Sequence, residues 1–395
     1  MRHEVQVELI ERLLGGERSP EPVQETRVPV ELYRSEEQLT RERNRLFREL
    51  ATPIAHISEV PAPGDFITRE VAGVPVLVVR EKTGALRGFV NVCRHRGAPL
   101  ADARTGTGCK ALVCPYHGWV YQLDGTLSHV PGEAFFPNLD KSQLGLVALP
   151  LVAAYGLVWV IPEGRGSVTA RPAPENGAAE RALRAAFGPF GDDLDHFGLA
   201  EHHLFRKTEA VRRCNWKLII DAFLEGYHVK TLHRRSLARF FDNSGPWFEF
   251  FGDHVRSVGA RKNIADMAQR PRAEWDIRAC ATPFYLFFPN TVVVIHPDFV
   301  SVLTVMPLRT DETAYSHYLL TPENPDPDGP QKELYARYQR SFELIDGAVF
   351  AAEDLDIAER IQRGLSSEAY EHFILGGAEY PIRVFHDTIA RHLER

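Results

Sequence analysis

The sequence predicts an α+β chain of two main domains: a smaller β-rich one, then a larger one mixing helices with strands. Three observations support this. At 395 residues the chain is long enough for two or three domains. From about residue 53 to 163, short runs of β-branched and aromatic residues alternate with turn sequences. Beyond a stretch rich in Gly, Pro, Ala and Glu, helical periodicities and β-like runs share some 200 residues.

In chain order, Val5, Leu9, Ile10, Leu13 and Leu14 recur at helical spacing until Gly15-Gly16 stops them. A second helical stretch, about Glu36 to Leu50, sets Leu39, Leu46 and Phe47 among Arg and Glu. Residues 1–52 therefore read as a helical arm. In the β-rich domain, 53–163, strands are expected at Val74–Val79, Phe89–Val92, Leu112–Val113, Val120–Leu123 and Leu157–Ile161, with Asp124-Gly125 as a turn. Residues 164–195 read as a linker, and 196–395 as the second domain, with strands at Phe284–Phe288, Thr291–His296 and Val300–Val305. No internal repeat is visible.

Composition excludes several classes. Hydrophobic residues at 44% and charged residues at 25% are ordinary globular values, so a core can be buried without disulfide staples. A net charge of −7 without a Lys/Arg block argues against nucleic-acid and anionic-membrane partners. No run approaches the ~18 apolar residues of a membrane span, and the N-terminus lacks an apolar signal core, so a cytoplasmic location is expected.

The most informative pattern is Cys93-x-His95 followed by Cys114-x-x-His117. Two thiolates and two imidazoles suit an asymmetric [2Fe–2S] cluster, with Cys on one iron and His on the other. Gly97 and Gly118 stand where the backbone must turn around a bulky inorganic core. The competing reading is zinc, but zinc modules place their cysteines as C-x2-4-C and their histidines together. These residues resemble the Rieske domain. High-potential respiratory Rieske proteins carry an extra Cys in each loop, where this chain has Ala98 and Tyr116. The pattern therefore resembles Rieske ferredoxins and oxygenases. Cys109, Cys214 and Cys280 are scattered and read as free thiols.

A second constellation runs Asp221-x3-Glu225-x2-His228-x4-His233, preceded by Asn215-Trp216-Lys217. Two imidazoles and one carboxylate leave a ferrous ion with open positions for oxygen and substrate. Glu225 and His228 would share a helix face. His228 and His233, five residues apart, would diverge by about 140° on a regular helix, so a π-bulge or a helix end is expected between them. Paired histidines among aromatics are also common as core or surface residues; the upstream cluster motif favours iron.

Over nearly its whole length the chain resembles the catalytic α subunit of Rieske non-haem iron oxygenases, the ring-hydroxylating oxygenase family. The resemblance implies an N-terminal all-β Rieske domain and a C-terminal helix-grip (START-like) domain built on an antiparallel sheet. It implies Cys93, His95, Cys114 and His117 as cluster ligands, and His228, His233 and Asp354 as ligands of a mononuclear Fe(II), with Glu353 and Asp356 as rivals of Asp354. It also implies Glu225 as the carboxylate linking the two centres in a head-to-tail homotrimer, and the catalytic set is Glu225 with Asn215. A Glu at 225, where most ring dioxygenases have Asp, resembles carnitine- and choline-type monooxygenases.

The implied activity is hydroxylation of a small organic substrate with O2 and electrons from NAD(P)H. A ferredoxin or flavin reductase would deliver the electrons, and a β subunit is possible. A stand-alone Rieske electron carrier and a metal-free helix-grip ligand-binding protein are the alternatives. Arg94, Arg96 and Arg104 are candidates for meeting an acidic donor or for local hydrogen bonds. Phe240, Phe241, Trp247, Phe248, Phe250 and Phe251 are candidates for an entrance or for core. His196, His202, His203, His254, His296 and His317 have no ligand spacing.

Overall fold

The structure is a computed structural model that describes residues 1–17, 25–162, 176–242 and 245–394. Two compact units make up the chain, one of Phe47–Ala185 and one of Met1–Leu46 with Ala186–Arg395.

The first unit is built on small antiparallel sheets. Five strands lie in the order Ala148–Leu149, Leu86–Val90, Val74–Arg80, Phe66–Val71 and Thr105–Gly106. Three more pair as Leu151–Ala154, Leu157–Val160 and Thr52–His56, and a further three as Leu112–Val113, Val120–Tyr121 and Leu127–His129. Val76 to Val79 are all buried, as β-branched and aliphatic residues are in a strand covered on both faces. Leu77, Val79, Phe89, Trp119 and Tyr121 form one core that includes Cys93 and Cys114. The turn at Asp124-Gly125 needs its glycine twice over. Gly125 has φ +89°, and a Cβ there would stand 2.5 Å from the Phe89 ring.

The second unit carries a seven-stranded antiparallel sheet in the order His203–Arg212, Glu312–Thr321, Val300–Arg309, Thr291–Ile295, Ala281–Phe287, His254–Ala260 and Trp247–Phe251. Six of these strands form a meander, and the first closes beside the last, which is the α+β architecture expected. Helices Trp216–Phe223 and Tyr380–Leu393 accompany the sheet, with a continuous run from Lys332 to Leu365 whose middle, Glu343–Asp354, is π-helical.

Two expected boundaries change. The N-terminal residues are an integral part of the second unit rather than a separate arm, because their apolar stripe has a partner. Leu9, Ile10, Leu13 and Leu39 are buried, Gln6 Oε1 accepts the Ile277 N–H at 3.0 Å, and Thr26–Pro29 pairs with His372–Leu375. The second helical stretch also ends earlier than expected, as an α-helix Glu36–Glu42 followed by a π-turn Arg43–Phe47. Of the expected linker 164–195, residues up to 175 lie outside the described residues, and 176–196 are two helical stretches joined at Gly188, ahead of Pro189. A Cβ on Gly188 would meet the Phe251 ring at 2.3 Å. Among the described residues no helix is long and apolar enough to cross a membrane.

Helix Trp216–Phe223 is anchored by a buried ion pair. Lys217 Nζ lies 2.7 and 2.9 Å from the two Glu42 carboxylate oxygens, and Trp216 Nε1 donates to the same carboxylate at 2.8 Å. Burial alone depresses the Lys217 pKa, and Glu42 opposes that. Glu42→Gln leaves the ammonium buried without its counter-charge, which costs about 3–5 kcal/mol. Calorimetry should show a lower unfolding temperature for Glu42→Gln, and recovery in the apolar double variant Glu42→Leu/Lys217→Met. An unchanged transition in the single variant would contradict this account.

Candidate metal centres

The first candidate centre lies on two loops of identical hydrogen-bond pattern. Cys93 N donates to Ala98 O at 2.8 Å and Gly97 N to Cys93 O at 3.0 Å; Cys114 N donates to Trp119 O at 2.8 Å and Gly118 N to Cys114 O at 3.0 Å. Each loop is closed by a glycine in the left-handed region, Gly97 at φ +81° and Gly118 at +70°. Both cysteines are buried and interact with each other, while the two imidazoles meet at the outer side, ring centroids 4.6 Å apart. His95 stacks on Trp119 at 4.8 Å.

These residues fit a [2Fe–2S] group. Burial raises the Cys93 thiol, and Cys114 stands beside it. The buried His95 Nδ1 has no hydrogen-bond partner, as a ligating nitrogen would not. Among the described residues the four do not gather within 4.8 Å, as ligands of one tetrahedral zinc would; sulfurs pair with sulfurs and rings with rings. Tyr121 OH lies 3.4 Å from Cys93 Sγ and accepts the Arg94 N–H at 3.0 Å. Arg94 donates to Gly145 O at 3.1 Å and Arg96 lies 5.2 Å over the Tyr116 ring, both local contacts.

In the second unit, His228, His233 and Asp354 bring one donor atom each within 4.8 Å of one another. Asp354 Oδ1 stands 3.0 Å from His233 Nε2 and 3.8 Å from His228 Nε2. That oxygen is buried and makes no hydrogen bond, and this donor set leaves room for further ligands, which fits a ferrous ion. Burial opposes protonation of His233, but the carboxylates of Asp354 and Glu353 outweigh it and raise its pKa, marking a pocket with surplus negative charge.

Of the two forms expected between the histidines, the backbone takes the helix end, and no π-bulge separates them. The helix ends at Phe223, and His228 and His233 bracket a separate one-turn helix, Val229–Leu232. Glu225 is not helical; its Oε2 accepts the Tyr227 and His228 N–H groups, a tight turn that presents Oε1 to His228 Nδ1. The π-helix lies instead at Glu343–Asp354, and it ends on the candidate ligand.

Asn215, expected to be catalytic, caps the helix that follows it. Its Oδ1 accepts the Lys217 N–H at 3.0 Å, and its Nδ2 donates to Tyr33 O and Thr310 O, each at 2.9 Å, which occupies both amide hydrogens. Of the two rivals to Asp354, Asp356 pairs with Arg360 at 2.6 Å, and Glu353 bonds His233 Nδ1 rather than the side facing Asp354. Sequence reasoning missed Tyr121 and Ser236, which no motif marks. Trp247 and Phe248 are buried core; Phe240, Phe250 and Phe251 are exposed. His317 is held by Asp346 at 2.8 Å and Ser301 at 3.0 Å, and His254 Nδ1 accepts the Phe288 N–H at 3.0 Å.

Residues 199–395 match the family model of the ring hydroxylating alpha subunit (catalytic domain), and residues 51–140 that of the Rieske [2Fe-2S] domain. The chain is a Rieske oxygenase α subunit. It is 27% identical over 376 residues to a carnitine monooxygenase oxygenase subunit of Acinetobacter pittii, covering 92% of this chain and 94% of that one. It is 28% identical to the subunit of that name from Escherichia coli K12, covering 92% and 93%, and 28% identical to the chloroplastic choline monooxygenase of Beta vulgaris, covering 83% and 68%. Its fold matches a quaternary ammonium Rieske monooxygenase solved with L-carnitine, TM-score 0.76 and 23% identity, covering 94% and 96%. It also matches the Rhodococcus naphthalene 1,2-dioxygenase, TM-score 0.71 and 20% identity, covering 99% and 98%. As a Rieske oxygenase α subunit the protein is an oxidoreductase that uses a Rieske cluster and a mononuclear iron. Aromatic ring dihydroxylation, among the activities its family resemblance suggested, fits less well than monooxygenation, since these relatives are named carnitine and choline monooxygenases.

Proposed function

We propose that this α subunit is the oxygenase component of a monooxygenase acting on a small quaternary ammonium compound. In this reading Cys93, His95, Cys114 and His117 hold the cluster, and His228, His233 and Asp354 hold the iron. The observation that carries the substrate class is the match to carnitine monooxygenase oxygenase subunits along 92% of the chain. Glu225 on His228, the variant that prompted the same comparison from sequence, agrees with it.

The bound metals supply one-electron transfer and dioxygen activation. The protein's own residues do the rest. Glu225 accepts the hydrogen bond of the His228 Nδ1–H, which fixes the ring and raises its basicity. A separate reductase is the proposed electron source, and the working assembly is a homotrimer in which Glu225 faces the cluster of a neighbouring copy.

Oxygen uptake coupled to product mass tests the substrate class, with carnitine, γ-butyrobetaine, choline, glycine betaine, simple amines and aromatic acids in the panel. The expected result is turnover of a quaternary ammonium compound with gain of one oxygen atom. Turnover confined to aromatic acids, with two oxygen atoms gained, would overturn it.

A further inference from the structure

Consecutive acidic residues grip the two nitrogens of one imidazole. Asp354 Oδ1 stands 3.0 Å from His233 Nε2, and Glu353 Oε2 stands 2.7 Å from His233 Nδ1. The same Glu353 oxygen accepts the Ser236 hydroxyl at 2.5 Å, and Ser236 N donates back to His233 O at 3.0 Å. His233, Ser236 and Glu353 thus form a closed ring of hydrogen bonds, with the metal-facing nitrogen on the far edge.

We propose that Glu353 is a positioning residue for the mononuclear metal: it fixes the rotation and tautomer of His233, and its charge strengthens that imidazole as a ligand. The proposal rests on the reading that His228, His233 and Asp354 hold the iron. Glu353 is not a ligand itself, because its bonded oxygen is spent on the opposite edge of the ring. Its task differs from that of Glu225 through burial. The His228 side chain is 22% exposed, so water can readily replace a lost partner on its Nδ1; that of His233 is only 3% exposed, so its Nδ1–H depends more on the partner the protein supplies. Partners of metal-bound histidines in this arrangement change metal affinity about 10–100-fold when removed.

The test uses full-length protein with its cluster intact, the mononuclear iron removed by chelation, and Co(II) titrated by calorimetry and visible absorption. Glu353→Ala should weaken Co(II) binding about 10–100-fold and shift the Co(II) bands while leaving the cluster spectrum unchanged. Glu353→Gln, which keeps an acceptor oxygen but no charge, should fall between Glu353→Ala and the unmodified protein, and it carries the test if the Ala variant does not fold. Asp356→Ala should bind as the unmodified protein does. Co(II) affinities within twofold of the unmodified protein for both Glu353 variants would overturn the proposal and leave the metal-site reading intact. Absence of Co(II) uptake by the unmodified protein, or unweakened uptake by His228→Ala, would overturn both.

Discussion

Asp354→Ala is expected to abolish oxygenation while the protein keeps its red-brown cluster colour. The carboxylate is the sole anionic member of the three-residue group, it is buried, and its Oδ1 makes no hydrogen bond that would give it another task. In the proposed site it is a ligand, so the loss should exceed the ~10–100-fold typical of a ligand's partner. Asp356→Ala is the matched control. Asp356 forms a half-exposed ion pair with Arg360, one turn away on the same helix, worth at most about 1 kcal/mol, and its loss should leave turnover near normal. Equal damage from both variants, or full activity in Asp354→Ala, would move the ligand elsewhere in the acidic helix.

The second large effect is expected at Glu225. Its carboxylate is held by two backbone N–H groups in the turn before His228 and bonds that ring's Nδ1, so the side chain has one orientation. Glu225→Gln preserves the size and one acceptor oxygen but removes the charge. With iron supplied in excess, both centres should remain loaded. Electron transfer between them should slow by about a hundredfold or more, the scale of a displaced catalytic group. Single-turnover stopped-flow measures it directly, because the cluster absorbs differently when reduced. A cluster that reoxidises at the normal rate in the presence of substrate and oxygen would remove Glu225 from the path.

What could be read from the sequence follows the range of the interactions. The cluster loops were legible because each ligand pair and its glycine fall within six residues, Cys93 to Ala98 and Cys114 to Trp119, and such turns fold on local hydrogen bonds. His228 and His233 were legible as a pair, and their spacing called for the helix end that Leu232 supplies. The break after Phe223 was not legible, because a periodicity argument assumes a continuous helix; it lets Glu225 bond the following N–H groups. Asp354 lies far along the chain from both histidines, and only the family motif pointed to it. An asparagine before a helix looks alike as a cap and as a reactive group, and the Tyr33 and Thr310 carbonyls that occupy the Asn215 amide come from distant segments that the sequence pattern does not mark. The same applies to the N-terminal residues, whose apolar stripe announced a partner without saying which.

The central claim is that one polypeptide carries two unlike iron centres. Its most direct test is a count of iron and acid-labile sulfide in anaerobically purified protein. The account predicts about three irons and about two sulfides per chain, two irons with the sulfides in the cluster and one iron alone. Two irons with two sulfides, unchanged after iron is supplied in excess, would contradict it.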